Sequence, residues 1–136
     1  MLNEDGLETA CLQWFAEGGW EIGHGPDLAP EGDAPERVDY REPLLLGDLE
    51  DAIRRLNPHL PDGAVEQAVS VVRKPESLDV VVSNRAFHRL LIEGVPVEYK
   101  QDDRVVHDKA LLIDYGSLSA NRFRAINQFT LSGSKQ

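Results

Sequence analysis

Gly94-Val95-Pro96-Val97-Glu98-Tyr99-Lys100 is the stretch that decides the fold class, because the apolar period changes there. Before Gly94, hydrophobic residues recur at helical spacing. After it, Val95, Val97 and Tyr99 alternate with Pro96, Glu98 and Lys100, the pattern of a strand with one buried face. Asp102-Asp103 reads as a hairpin turn between this strand and the residues around Val105. Ala110 to Tyr115 reads as a second strand and Phe123 to Leu131 as a third. Helices followed by sheet predict an α+β fold, with N-terminal amphipathic helices packed on a small, mostly antiparallel sheet.

Upstream, Leu7, Ala10, Cys11, Trp14 and Phe15 mark one face of a first helix that Gly18-Gly19 stops, so Trp14 and Phe15 are expected in the core. Trp20 and Ile22 alternate as in a short strand, and His24 to Pro35 has the Gly and Pro density of a long exposed loop. Leu45, Leu49, Ala52, Ile53 and Leu56 form a helix stripe ended by Asn57-Pro58. Ala64, Val65, Ala68, Val69 and Val72 form another, opened by Pro61-Asp62 and closed by Lys74-Pro75, so the two are expected to pair as a hairpin. Ser77 is a candidate cap for a further helix that buries Leu78, Val82, Ala86, Phe87, Leu90 and Leu91 and ends at Gly94. No internal repeat or interdomain linker breaks residues 1–136, which are expected to form one domain.

The chain carries 24 Asp and Glu against 14 Lys and Arg, a formal net charge of −10. That balance argues against binding nucleic acid through broad phosphate attraction. Local basic strips remain at Arg54 and Arg55, Arg85 with Arg89, and Arg122 with Arg124. Cys11 is the only cysteine, which excludes an internal disulfide and a cysteine-based zinc cluster and suits a reducing compartment. No apolar run approaches bilayer length, and the acidic first residues are unlike a signal peptide, so a cytoplasmic location without membrane attachment is expected.

Glu98 and Lys100, two apart on a strand, share one face, which is the spacing of the ExK strand of metal-dependent nucleases. Such a site needs a second carboxylate, and Asp27 lies far upstream in the Gly/Pro-rich segment. Glu98 and Lys100 are therefore read as the wet face of the strand. His24, His59, His88 and His107 show no metal-binding spacing, and no P-loop, GxGxxG or GxSxG occurs.

Taken in order, Gly6-Leu7-Glu8, Gly18-Gly19-Trp20-Glu21-Ile22, His24-Gly25-Pro26-Asp27-Leu28-Ala29-Pro30, Leu56-Asn57-Pro58-His59-Leu60-Pro61, Asn84-Arg85-Ala86-Phe87-His88, the Gly94–Lys100 stretch and Asn127-Gln128-Phe129-Thr130 resemble the N-terminal region of the type I restriction enzyme R subunit family. The resemblance covers nearly the whole chain. It implies part of a restriction-endonuclease-like domain in which the Asp strand and the catalytic ExK strand of the PD-(D/E)xK core follow the Asn-Gln-Phe segment. Glu98 and Lys100 then precede the true site, and Pro26-Asp27 is not the catalytic pair. The resemblance carries over one acid, Glu8, as an accessory group on the first helix.

For the complete protein the resemblance implies a hydrolase that translocates along DNA with ATP and cleaves it with Mg²⁺, in complex with methylation and specificity subunits. The 136 residues by themselves are expected to be inactive and to bind neither Mg²⁺ nor ATP tightly. Two alternatives stand beside this reading: a non-catalytic module that docks partner subunits, and a small metal-dependent nuclease using Glu98 and Lys100.

Overall fold

The computed structural model describes residues 3–74 and 77–133. Its elements are helix α1 (Glu4–Glu17), strand β1 (Glu21–His24), the short helix α2 (Gly25–Leu28), helices α3 (Leu46–Leu56), α4 (Asp62–Arg73) and α5 (Val80–Glu93), strands β2 (Val95–Gln101) and β3 (Arg104–Ala110), a 3-10 turn at Leu118–Ala120, and strand β4 (Arg124–Asn127). The fold is α+β, as the change of period at Gly94 predicts. The chain divides into two compact units, one made of residues up to Leu45 with those from Arg122 onward, the other of Leu46–Asn121.

In the second unit, β2 and β3 form an antiparallel hairpin whose register pairs Val95 with Ala110, Val97 with Asp108 and Glu98 with His107. Asp102 and Asp103 turn it with φ of 52° and 62°, the left-handed pair that a tight two-residue hairpin turn requires and that Asp tolerates. Val95 and Val97 are buried while Pro96, Glu98 and Lys100 are exposed, as the alternation predicts. The buried face meets α4, whose Ala64, Val65, Ala68 and Val72 are buried, and α4 packs on α3 through Ile53. Each fully buried Val or Ile here contributes roughly 1.5–3 kcal/mol by removal from water.

Asn57 ties α3 to the end of β3. Its amide nitrogen donates to Ile53 O at 2.8 Å and to Leu111 O at 2.9 Å, and its oxygen accepts from Leu111 N at 2.8 Å. The residue is only 1% exposed, and its two bonds to Leu111 satisfy backbone groups where the chain leaves β3, whereas Ile53 O also accepts from Asn57 N at 3.0 Å.

Several local expectations change. The strand opposite β2 is Arg104–Ala110, as the expected hairpin turn at Asp102-Asp103 requires, but of the strand expected over Ala110–Tyr115 only Ala110 is in a strand. Asp114 Oδ1 accepts from the backbones of Gly116 and Ser117, and Asn121 bonds both backbone groups of Asp114, so polar side chains replace a ladder there. Helix α5 is capped by Asp79, which accepts from Val81 N and Val82 N, rather than by Ser77. Its expected buried face is only partly covered: Leu78, just before the helix, is fully exposed and Val82 and Phe87 are exposed too, while Ala86, Leu90 and Leu91 are half-buried. Pro75, expected to close α4, lies outside the described residues.

In the first unit, α1 is capped by Asn3, whose Oδ1 accepts from Gly6 N at 2.8 Å, and Gly19 leaves it at φ 90°. Phe15 contacts Trp20 and Trp20 contacts Phe123, with ring centroids 4.9 and 5.1 Å apart. Trp14 is 70% exposed, against the expectation that it packs inside. The segment after His24 is not wholly an exposed loop, because α2 forms there and Gly25, Leu28 and Ala29 are buried. Arg37 is also buried. It donates to Tyr40 O and Glu42 O and lies 3.9 Å from the centre of the Phe129 ring.

Candidate functional site

Strands β1 and β4 run parallel, pairing Glu21 with Arg124 and His24 with Asn127, so both end at the same place. The carboxyl end of parallel strands is where open α/β sheets gather ligand-binding side chains. Here the chain turns sharply from β1 into α2 at Gly25. A Cβ on Gly25 would lie 2.2 Å from Gln128 O and 2.6 Å from Asn127 O, so only glycine lets the two strand ends approach this closely.

Three segments meet at that end. Asn127 donates its amide N–H to Glu8 Oε1 of α1 at 2.6 Å, and Gln128 reaches the same oxygen at 3.4 Å. On the other side of the amide, His24 Nδ1 lies 2.7 Å from Asn127 Oδ1. Glu8 and Asn127 are half-buried and His24 is exposed. A carboxylate, an amide and an imidazole thus form one hydrogen-bonded row at the carboxyl end of β1 and β4.

At the other end of the strand pair, acids and bases neutralise each other. Arg122 forks onto Glu21, holding that carboxyl below its usual range, and Arg124 pairs with Glu36 at 2.6 Å. The Arg122 and Arg124 strip is therefore committed to carboxylates. Arg54 is likewise bound to Glu50 and Asp62, and Arg55 donates to Ala120 O.

Glu98 and Lys100 do not assemble a nuclease site. Glu98 is exposed and paired with His107 at 3.0 Å. The nearest strand acid, Asp108, sits opposite Val97 and so projects from the other face of the hairpin. There it accepts from Lys109 N at 2.7 Å, from the Tyr99 hydroxyl at 3.0 Å and from His59 at 3.0 Å. The Lys109 N–H above all, then Tyr99 and His59, hold the Asp108 carboxyl below its usual range, and burial with the Asp108 contact raises Tyr99. Asp27 lies exposed on α2. Among the described residues, no three His, Cys, Asp or Glu side chains converge as metal donors, and no helix is long and apolar enough to cross a membrane.

Asn127 and His24 were not singled out by chemistry in the sequence. The available signal was a polar Asn-Gln pair directly after a short apolar strand, together with the His-Gly step.

A family profile described as "Type I restriction enzyme R protein N terminus" matches residues 1–136. The chain is 36% identical over 135 residues to the "Type I restriction enzyme HindI endonuclease subunit" of Haemophilus influenzae, covering 99% of this chain and 13% of that protein. It is 31% identical over 129 residues to the "Putative type I restriction enzyme MjaIXP endonuclease subunit" of Methanocaldococcus jannaschii, covering 94% of this chain and 12% of that protein. The chain thus spans about an eighth of the length of these relatives. No solved structure matches it. The chain belongs to the type I restriction enzyme R protein family and corresponds to its N-terminal region.

Proposed function

We propose that these residues form the N-terminal part of the nuclease region of a type I restriction R subunit, and that Glu8 is the acid they contribute to it. The observation that supports this reading is the placement of Glu8, held by Asn127 at the shared carboxyl end of β1 and β4 in a chain that matches the R protein family throughout. The complete protein, with its methylation and specificity subunits, translocates along DNA using ATP and cleaves unmodified DNA with Mg²⁺, in the reducing cytoplasm that a lone Cys11 suits. Mg²⁺ would supply charge neutralisation at the scissile phosphate. The donors present here do not suffice to ligate that ion directly, since no three converge among the described residues.

A second reading, a module that docks partner subunits, is favoured by the exposed apolar residues of α5, including Val80, Val81, Val82 and Ile92, on a chain of net charge −10. The small-nuclease reading is disfavoured because Glu98 and Asp108 project from opposite faces of one hairpin.

Incubating the purified 136-residue chain with supercoiled plasmid and Mg²⁺ or Mn²⁺ tests the reading. No nicking is expected, while the complete protein with its partner subunits and ATP cleaves the same plasmid. Nicking by the chain that disappears in Glu98→Ala would overturn it in favour of the small nuclease.

A further inference from the structure

The hairpin of β2 and β3 has two outer edges, and only one of them is closed. Gln67 of α4 lays its amide along β2, donating from Nε2 to Glu98 O at 2.7 Å and accepting at Oε1 from Glu98 N at 3.0 Å. Both backbone groups of Glu98 therefore point away from β3. Pro96, the neighbouring outward residue of β2, has no N–H to expose, and an edge facing away from the ladder is where a sheet tolerates proline.

The register then fixes the other edge. Opposed residues of an antiparallel pair alternate between those that exchange backbone bonds and those that do not. Glu98 lies opposite His107, Lys100 opposite Val105 and Pro96 opposite Lys109, so the backbone groups of Val105, His107 and Lys109 point outward from β3. Lys109 N donates to Asp108 Oδ1 at 2.7 Å. Among the described residues, nothing in the protein pairs with the outward N–H and C=O groups of Val105 and His107, and the Val105 side chain is 57% exposed. An edge with unpaired donors and acceptors is a template for another strand, and folded proteins ordinarily blunt it.

The sequence along that edge complements itself. It reads Asp103-Arg104-Val105-Val106-His107-Asp108-Lys109. Two copies laid antiparallel with Val106 against Val106 place Arg104 opposite Asp108 of the second copy and Asp103 opposite Lys109, each pair occurring twice by symmetry. Val105 then faces His107, and these outward residues exchange backbone bonds, two at each pair. Asp108 leans toward this edge, since its Oδ1 accepts from the outward Lys109 N–H. A register with Val105 against Val105 sets Asp102 against Asp108, two like charges. One with His107 against His107 sets Val106 against Asp108 and Val105 against Lys109. Opposite charges directly across a strand pair stabilise it and like charges oppose it, so the Val106-centred register is favoured. Along Asp103–Lys109 the two acids are matched by Arg104 and Lys109, which makes the contact neutral on a chain whose net charge of −10 otherwise keeps copies apart.

We infer that two copies of this chain associate through the open edge of β3, joining their hairpins into one antiparallel sheet about a twofold axis at Val106. A twofold contact needs the same patch on both copies to complement itself, which this heptapeptide does. A single strand pair is a small interface, so the dimer is weak. The inference is independent of Glu8, which lies in the other compact unit of the chain.

Sedimentation equilibrium of the 136-residue chain at concentrations up to about 1 mM is expected to show monomer in exchange with dimer. Amide hydrogen exchange at Val105 and His107 should slow as concentration rises, while Glu98, held by Gln67 within one copy, should keep a constant rate. In a mixture of ¹³C-labelled and unlabelled chains, a filtered nuclear Overhauser contact is expected between the Val106 Hα protons of the two copies. Val105→Pro removes an outward N–H without touching a bond between β2 and β3, and should abolish the dimer while the monomer stays folded. Lys109→Glu sets acid against acid at both ends of the contact and should raise the dissociation constant by about 2–30-fold. If Val105→Pro disturbs the hairpin, Lys109→Glu and the wild-type exchange pattern decide the matter. A chain that stays monomeric throughout, or a dimer whose protected amides lie elsewhere, would overturn the inference. So would protection of Val105 and His107 that is independent of concentration and arises only in the complete R subunit, because the edge would then belong to a strand of the same polypeptide.

Discussion

Glu8 and Asn127 lie 119 positions apart in sequence and are joined by a 2.6 Å hydrogen bond. The bond fastens the first helix to the end of the last strand, so the geometry of the row depends on how closely β1 and β4 approach each other. Gly25 sets that approach.

Gly25→Ala is expected to destabilise the unit that contains it by about 1–3 kcal/mol or more, because the new methyl meets backbone oxygens and not yielding side-chain ends. Urea unfolding followed by Trp20 fluorescence measures this. A variant as stable as the wild type would show that the strand ends are not held as described.

Asn57→Ala is expected to cost at least about 2 kcal/mol. It strips Leu111 N–H and C=O of their side-chain partner, while the Ile53 carbonyl keeps its bond from the backbone N–H of residue 57, and each buried unsatisfied group costs roughly 1–3 kcal/mol. The thermal midpoint of the chain reports the loss. Asn57→Asp should not rescue it, because a carboxylate cannot donate to the two carbonyls and would bury a charge.

Asp108 gives the chain a pH dependence with a defined sign. Its carboxyl is held below the ordinary value of 3.8 by Lys109 N–H, Tyr99 and His59. A group depressed in the folded state contributes stability that is present above its unfolded pKa and lost as pH falls through its folded pKa. Stability should therefore decline below pH 3.8, and Asp108→Asn should flatten that part of the profile. Denaturant midpoints taken between pH 6 and pH 3 for both proteins check the prediction. Equal slopes would contradict it.

Much of the second unit was legible because its signals are local. Alternation from Val95, the Asp102-Asp103 turn and the proline after Asn57 each act within a few residues, and β2, its turn and the end of α3 lie where they place them. Ala110 to Tyr115 reads as apolar strand, yet beyond Ala110 the carboxylate of Asp114 and the amide of Asn121 capture the backbone, a competition that apolar period cannot register. The parallel pairing of β1 with β4 was not legible. Each strand has four residues, they are separated by about a hundred positions, and nothing in either names the other. Glu8 entered through family resemblance alone. Its partners Asn127 and His24 became visible only when the parallel register set them side by side.

Cleavage of unmodified plasmid by the complete R subunit, assembled with its partner subunits and carrying Glu8→Gln, tests the central claim most directly when ATP hydrolysis is measured in parallel. The account predicts that cleavage falls about 10–100-fold, the range for losing a supporting group around a metal, while ATP hydrolysis stays at the wild-type rate. Wild-type cleavage by the Glu8→Gln protein would contradict it.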